Sequence, residues 1–439
     1  MAQPTVTTAR PRAVPPTEKP ADLLLRLGPG LITGAADDDP SGIATYSQVG
    51  AQFGMGMLWT MLFSFPLMAA IQEICARLGR VTGRGIAANL REHYPKPLLY
   101  AVVALLCVAN VFNLGADIAA MGAAAQLIVG GNLNVYAIAF GILSLLLQIY
   151  LPYRSYVRYL KWLTLALLAY VVTAFVVHVP WMAAIRATVI PGISWRVDYW
   201  MALVAVLGTT ISPYLFFWQT SEEVEDVRIN PGESPLRNKP WQALQQFRRI
   251  ALDTRIGMGI SNLVAFFIIL TTAMTLNAAG SAGEIQTAAD AAKALRPLAG
   301  HFAFLLFALG IVGTGMLAIP VLAGSAAYAV SETFRWRASL ESKPRRAPKF
   351  YMVIAAATLI GVALNFLGMD PIRALYWSAV LNGIVAVPLM AMVMILSANR
   401  GVVGKLGLSR PLQITGWTAT AVMFVASLGF LLSTAIRLR

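Results

Sequence analysis

The sequence predicts an all-α polytopic membrane protein with eleven transmembrane helices. Three observations carry that expectation. Hydrophobic residues make up 58% of the 439-residue chain and charged residues only 12%, where a soluble domain carries about 25% charged residues. Apolar stretches recur along the whole chain at the length of roughly 20 residues that a bilayer core requires. Lys and Arg fall between these stretches and favour alternate loops, the bias that orients membrane helices.

Apolar spans fall at about 27–54, 56–78, 98–128, 133–151, 157–179, 198–224, 250–277, 301–332, 350–368, 371–397 and 412–436. Of the 34 Lys and Arg, 27 lie on the side of the N-terminus when the spans alternate, and 7 on the other. The N-terminus is therefore expected in the cytoplasm and the C-terminus outside, in a plasma membrane such as the bacterial inner membrane. Residues 1–22 are proline-rich with no apolar core and are expected to form a disordered tail. Residues 23–439 are expected to form one transmembrane domain. The net charge of +14 does not indicate nucleic acid, because the basic residues cluster in short loops between spans. Cys75 and Cys107 lie in separate apolar spans, and His93, His178 and His301 are scattered. No P-loop, HExxH, CxxC or GxSxG pattern occurs, so neither ATP nor a cofactor nor catalysis is indicated.

The first span contains GAADDDPSGIATYS, residues 34–47. Asp38 lies about 11 residues into the span, which at ~1.5 Å per residue is roughly 16 Å, near the middle of a ~30 Å core. Carboxylates at that depth are costly unless protonated, hydrated or paired with a cation. Pro40 removes a helical hydrogen bond and Gly42 relaxes the backbone. The helix should break here, and such a break is tolerated only inside protein or beside a cavity. Asp37, Asp38 and Asp39 are expected to form the floor of a cation site, with backbone carbonyls freed at Gly42 as further oxygen ligands.

The sixth span contains LGTTISPYLFFWQ, with Pro213 at similar depth. Spans 1 and 6 would run in opposite directions, each opening a half of five helices (about 27–179 and 198–397), with an extra helix at 412–436. Matching breaks in two inverted halves point to a secondary-transporter site. Five plus five plus one helices fit a LeuT-like inverted repeat. Ser212 and Tyr214 beside the second break join the expected site.

Other polar residues have two readings each. Asn110, Asn113 and Asp117 share one face of span 3, either as a proton or ion path or as interhelical hydrogen bonding. The asparagines favour the structural reading and Asp117 the functional one. Glu222 and Glu223 end span 6, as a cation-attracting vestibule or as a solvated helix end paired with basic loops. Tyr214, Phe216, Phe217 and Trp218 are an aromatic wall for an organic cation or core packing. Asn382 is a neutral oxygen ligand or an interhelical bond. Arg255 is expected to snorkel to the interface.

The motif GPGLITGAADDDPSG with IATYSQVGAQFG, the LGTTISPY stretch and the eleven-span plan resemble the NRAMP family of divalent-metal transporters over about residues 25–435. The resemblance implies a LeuT-like fold, alternating access and often proton coupling. The family pattern Asp-Pro-Gly-Asn falls on Asp39, Pro40, Ser41 and Gly42. Its Met-Pro-His-Asn falls on Ser212, Pro213, Tyr214 and Leu215. Of the side chains that hold metal in the family, Asp39 alone is retained. Loss of the thioether removes a bias toward soft ions, and extra carboxylates favour hard cations such as Mg²⁺ or Mn²⁺. A cation-transporting member of this group is expected, with a divalent metal as substrate and a small organic cation as the alternative. A channel is disfavoured by pseudo-repeats within a single chain. Oligomeric state is not legible.

Overall fold

The computed structural model describes residues 29–151, 163–230, 232–278 and 285–437. The expected tail at 1–22 lies outside these residues. Among the described residues every element is helical. The first span is two half-helices, α1 (Pro29–Asp37) and α2 (Pro40–Phe53). Next come α3 (Trp59–Thr82), a short α4 (Ile86–His93), α5 (Lys96–Val129) and α6 (Leu133–Tyr150). Then follow α7 (Leu168–Val176), α8 (Trp181–Val189) and a second pair of half-helices, α9 (Val197–Thr210) and α10 (Pro213–Ile229). The chain closes with α11 (Ala243–Thr272), α12 (Ala303–Thr333), α13 (Pro348–Leu364), α14 (Pro371–Ala398) and α15 (Arg410–Arg437).

Nine helices among the described residues are long and apolar enough to cross a membrane, or ten if the bent pair around α7 and α8 is one span. The expected eleven is reached only by adding α1 with α2, whose pieces of 9 and 14 residues are each too short alone. The fifth span also departs from its expected course. Residues 152–162 fall outside the described residues, and α7 ends at Val176 rather than near 179. The chain then bends by 120° into α8, where the sequence suggested a loop. Pro180 caps α8, and its fixed φ ends one helix and starts the next.

Both expected breaks are present, and each has the same local cause. Asp39 is the N-cap of α2, extended at φ −72° and ψ 170°, with Pro40 in the first turn. Ser212 is the N-cap of α10, at φ −75° and ψ 131°, followed by Pro213. Proline in the first turn loses no hydrogen bond, since that N–H has no intrahelical partner. Each break therefore sets the carbonyl end of one half-helix against the amide end of the next.

The half-helices are enclosed by longer helices. α1 packs on α11, α9 on α14, α10 on α3, and the 34-residue α5 against α6, α12, α13 and α14. Glycine permits the closest of these approaches. A Cβ on Gly34 would lie 2.4 Å from the Gly257 backbone, and one on Gly208 would lie 2.1 Å from the Ala379 carbonyl oxygen.

Candidate functional site

The two breaks meet inside the protein. The Tyr214 hydroxyl, in the first turn of α10, donates to the Ala36 carbonyl at 3.2 Å and lies 3.4 Å from Asp39 Oδ2. Asp39 is 2% exposed. Its Oδ1 accepts the Gly42 backbone N–H at 2.7 Å, and its Oδ2 accepts Asn113 Nδ2 at 3.0 Å. Three elements thus hold one carboxylate: α2 by its own cap, α5 through Asn113 and α10 through Tyr214. The amide ends of α2 and α10 add favourable dipoles for its negative charge.

Asp117 lies one turn beyond Asn113 on α5, fully buried and within electrostatic reach of Asp39. Its carboxyl oxygens lie beside the Ser41 backbone N–H and have no side-chain hydrogen-bond partner among the described residues. A buried carboxylate in that condition is costly unless it is protonated or bound to a cation. Among the described residues no basic side chain forms an ion pair with Asp37, Asp38, Asp39 or Asp117.

The three adjacent carboxylates do not converge. Asp37 Oδ2 and Asp38 Oδ1 lie 2.6 and 3.0 Å from Ser261 Oγ of α11, whose single hydrogen serves one of them at a time. Asp39 instead faces α5 and α10. Among the described residues no group of three or more His, Cys, Asp or Glu side chains converges as a metal cage. Gly42 and Ser212, expected to add oxygen ligands, make hydrogen bonds within the two breaks. Gly42 contributes its N–H to Asp39. The Ser212 carbonyl accepts the Leu215 N–H at 3.2 Å. The Ser212 hydroxyl turns back to the Gly208 and Thr209 carbonyls at 2.9 and 2.8 Å.

The remaining candidates separate clearly. Asn110 donates to the Leu322 carbonyl at 3.0 Å and Ser325 Oγ at 2.7 Å, which ties α5 to α12 as a structural bond. Asn382 is buried on α14, with its carbonyl oxygen unpartnered. Phe216, Phe217 and Trp218 are 0–1% exposed, and Trp218 packs edge-on against Tyr328 with centroids 6.4 Å apart. That is core packing rather than a cation wall. Glu222 is buried near Tyr328. Glu223 pairs with Arg249 at 2.6 Å and Arg80 at 3.6 Å. Arg80 also meets Asp226 at 3.0 Å and Glu233. This end of α10 is locked by ion pairs, where an open vestibule was one of the two readings. Arg255 is exposed and pairs with Glu73 at 3.3 Å.

Two polar neighbours of the first break escaped the sequence reading. Ser261 bridges the first two aspartates, and Ser378 on α14 touches Asn113 Oδ1 at 2.7 Å and Ser41 Oγ at 3.2 Å. Ser378 precedes Asn382 by four residues, one turn on the same helix face. That spacing was its only signal.

Two pairs of half-helices, in the first and sixth spans, meet at a buried carboxylate in a helical membrane protein with a LeuT-like fold. The family model described as natural resistance-associated macrophage protein-like (Nramp) matches residues 30–433, and the chain belongs to that family. A crystal structure of the Eremococcus coleocola manganese transporter in complex with an aromatic bis-isothiourea substituted compound is similar at TM-score 0.71 and 16% identity, covering 96% of this chain and 88% of that one. A mutant of that transporter gives 0.68 and 16%, covering 94% and 86%. Mhp1, a nucleobase-cation-symport-1 family transporter in a closed conformation, gives 0.56 and 12%, covering 92% and 90%. At these identities the likeness is one of fold.

Proposed function

We propose that this chain is a secondary active transporter that moves a divalent metal cation of the Mg²⁺ or Mn²⁺ type by alternating access, coupled to protons. The observation that carries this reading is the Asp39 carboxylate at the meeting point of two broken helices, in a chain that belongs to the Nramp family over nearly its whole length. The manganese transporter named among its structural relatives supports the choice of substrate class. Asp39 and Asp117 supply two carboxylates with no basic partner among the described residues, which suits a divalent ion. The Tyr214 hydroxyl and the Asn113 amide lie beside Asp39, and the soft Met and imidazole of the family pattern are replaced by Ser212 and Tyr214, so Mg²⁺ and Mn²⁺ fit better than Cd²⁺.

Under this reading residues 23–439 act as one unit with two inverted halves and an extra helix, the N-terminus faces the cytoplasm, and the protein resides in a plasma membrane. Asp117 serves the passage of protons or ions. The ion pairs around Arg80 and Glu223 close the basic side. The organic-cation alternative loses its footing because Phe216, Phe217 and Trp218 are packed in the core. The test is uptake of Mn²⁺ and Mg²⁺ into proteoliposomes under an imposed proton gradient. Saturable uptake that Cd²⁺ inhibits only weakly supports the reading. Absence of uptake for both ions, or inhibition by submicromolar Cd²⁺, contradicts it.

A further inference from the structure

Asn113 sits between two partners whose needs conflict. Its Nδ2 donates to Asp39 Oδ2 at 3.0 Å, and its Oδ1 faces Ser378 Oγ at 2.7 Å. Ser378 also lies 2.6 Å from the Leu375 carbonyl and 3.2 Å from Ser41 Oγ. A serine hydroxyl carries one hydrogen. It cannot donate to both the Asn113 oxygen and the Leu375 carbonyl. One of these two short oxygen–oxygen contacts has no proton in it, in a place where Ser378 is 0% exposed and Asn113 is 0% exposed.

Turning the Asn113 amide by half a turn removes the conflict. Nδ2 then donates to Ser378 Oγ, and the Ser378 hydrogen goes to Leu375. The cost is that Oδ1 now faces Asp39 Oδ2, oxygen against carboxylate, which a cation between them would relieve. The spacing suits that occupant. Two oxygens at 2.0–2.1 Å from an octahedral Mg²⁺ stand about 2.9 Å apart along a shared edge, close to the 3.0 Å between Asn113 Nδ2 and Asp39 Oδ2. The Asp117 carboxylate, buried one turn away, lies within electrostatic reach of Asp39.

We infer that Asn113 is a substrate ligand through its amide oxygen, and that its amide turns over between the empty and loaded states. In the empty state it donates to Asp39 and steadies the bare carboxylate. In the loaded state the cation takes over Asp39, the amide reverses, and Ser378 accepts the freed N–H. This assignment places α5 and α14 in contact with the substrate through one side chain and its support. It rests on the proposed transport of a divalent ion.

Two substitutions separate ligation from positioning. Asn113→Asp keeps an oxygen and removes the N–H, whereas Asn113→Leu removes both at similar volume. Binding of MgCl₂ and MnCl₂ to the purified full-length protein in detergent is measured by calorimetry. The expected result is that Asn113→Asp binds within about threefold of wild type or tighter, and that Asn113→Leu weakens binding by at least about tenfold. Ser378→Ala, which leaves the reversed amide unpaired, weakens it by about tenfold and serves if Asn113→Leu fails to fold. Equal losses in Asn113→Asp and Asn113→Leu mean that the N–H was what mattered, and overturn the inference while transport stands. Unchanged binding in Ser378→Ala also overturns it. No divalent binding by wild type overturns both the inference and the substrate reading.

Discussion

Replacing Arg80 with methionine should cost more stability than any exposed ion pair in the molecule. Arg80 is 1% exposed and meets Asp226 at 3.0 Å, Glu223 at 3.6 Å and Glu233. Asp226 and Glu233 keep 18% and 26% exposure, so water screens them once the arginine is gone. Glu223 is 0% exposed, but it retains Arg249 at 2.6 Å. Breaking a buried pair costs about 3–5 kcal/mol when the remaining charge has no other partner. With Arg249 still in place the loss should fall near the lower end, about 3 kcal/mol. The Arg80→Met and Glu223→Gln double-mutant cycle should show about 1–3 kcal/mol of coupling, as expected within one network. Arg196 and Asp198, 3.4 Å apart at 73% and 42% exposure, form the control, where a pair is worth less than about 1 kcal/mol. The assay is denaturation in mixed detergent micelles at several salt concentrations. Equal effects for Arg80→Met and Arg196→Met, or full loss of the Arg80 effect in high salt, would show that the network is solvated rather than locked.

Two further outcomes follow from packing and topology. Gly34→Val should destabilise the protein and abolish uptake, because even a single added carbon on Gly34 lies 2.4 Å from the Gly257 backbone; thermal unfolding within about 2 °C of wild type would contradict the tight docking of α1 on α11. A cysteine at Thr287, an exposed helix cap beyond α11, should react with a membrane-impermeant maleimide in intact cells, whereas labelling only after permeabilisation reverses the proposed orientation.

Much of the fold was legible because a bilayer imposes its length on every span and because proline and carboxylates together mark a break. Pro40 and Pro213 identified both interruptions, and Asp39 caps the half-helix that follows the first of them. The directions of Asp37 and Asp38 were not legible. At a break the regular 100° step per residue is lost, and the extended backbone of Asp39 turns its side chain away from its two neighbours. Ser261 and Ser378 were hidden for another reason. A lone serine in an apolar helix is ordinary, and its partner sits more than 200 residues away in the chain. The α7–α8 bend was missed because a nine-residue helix is shorter than any span and its start at Pro180 looks like a loop.

The measurement that most directly tests the central claim is Mn²⁺ uptake by proteoliposomes holding wild type, Asp39→Asn and Asp117→Asn, with folding checked by size exclusion and thermal unfolding. Asp39 accepts hydrogen bonds from the Gly42 N–H and Asn113 Nδ2 that an asparagine can only partly keep, so the variant should fold with a modest loss of stability. The account predicts that Asp39→Asn abolishes Mn²⁺ uptake. It predicts that Asp117→Asn changes the pH dependence of uptake more than its apparent affinity. Uptake by folded Asp39→Asn at the wild-type rate would contradict the assignment of Asp39, and with it the claim that the two broken helices meet at the substrate site.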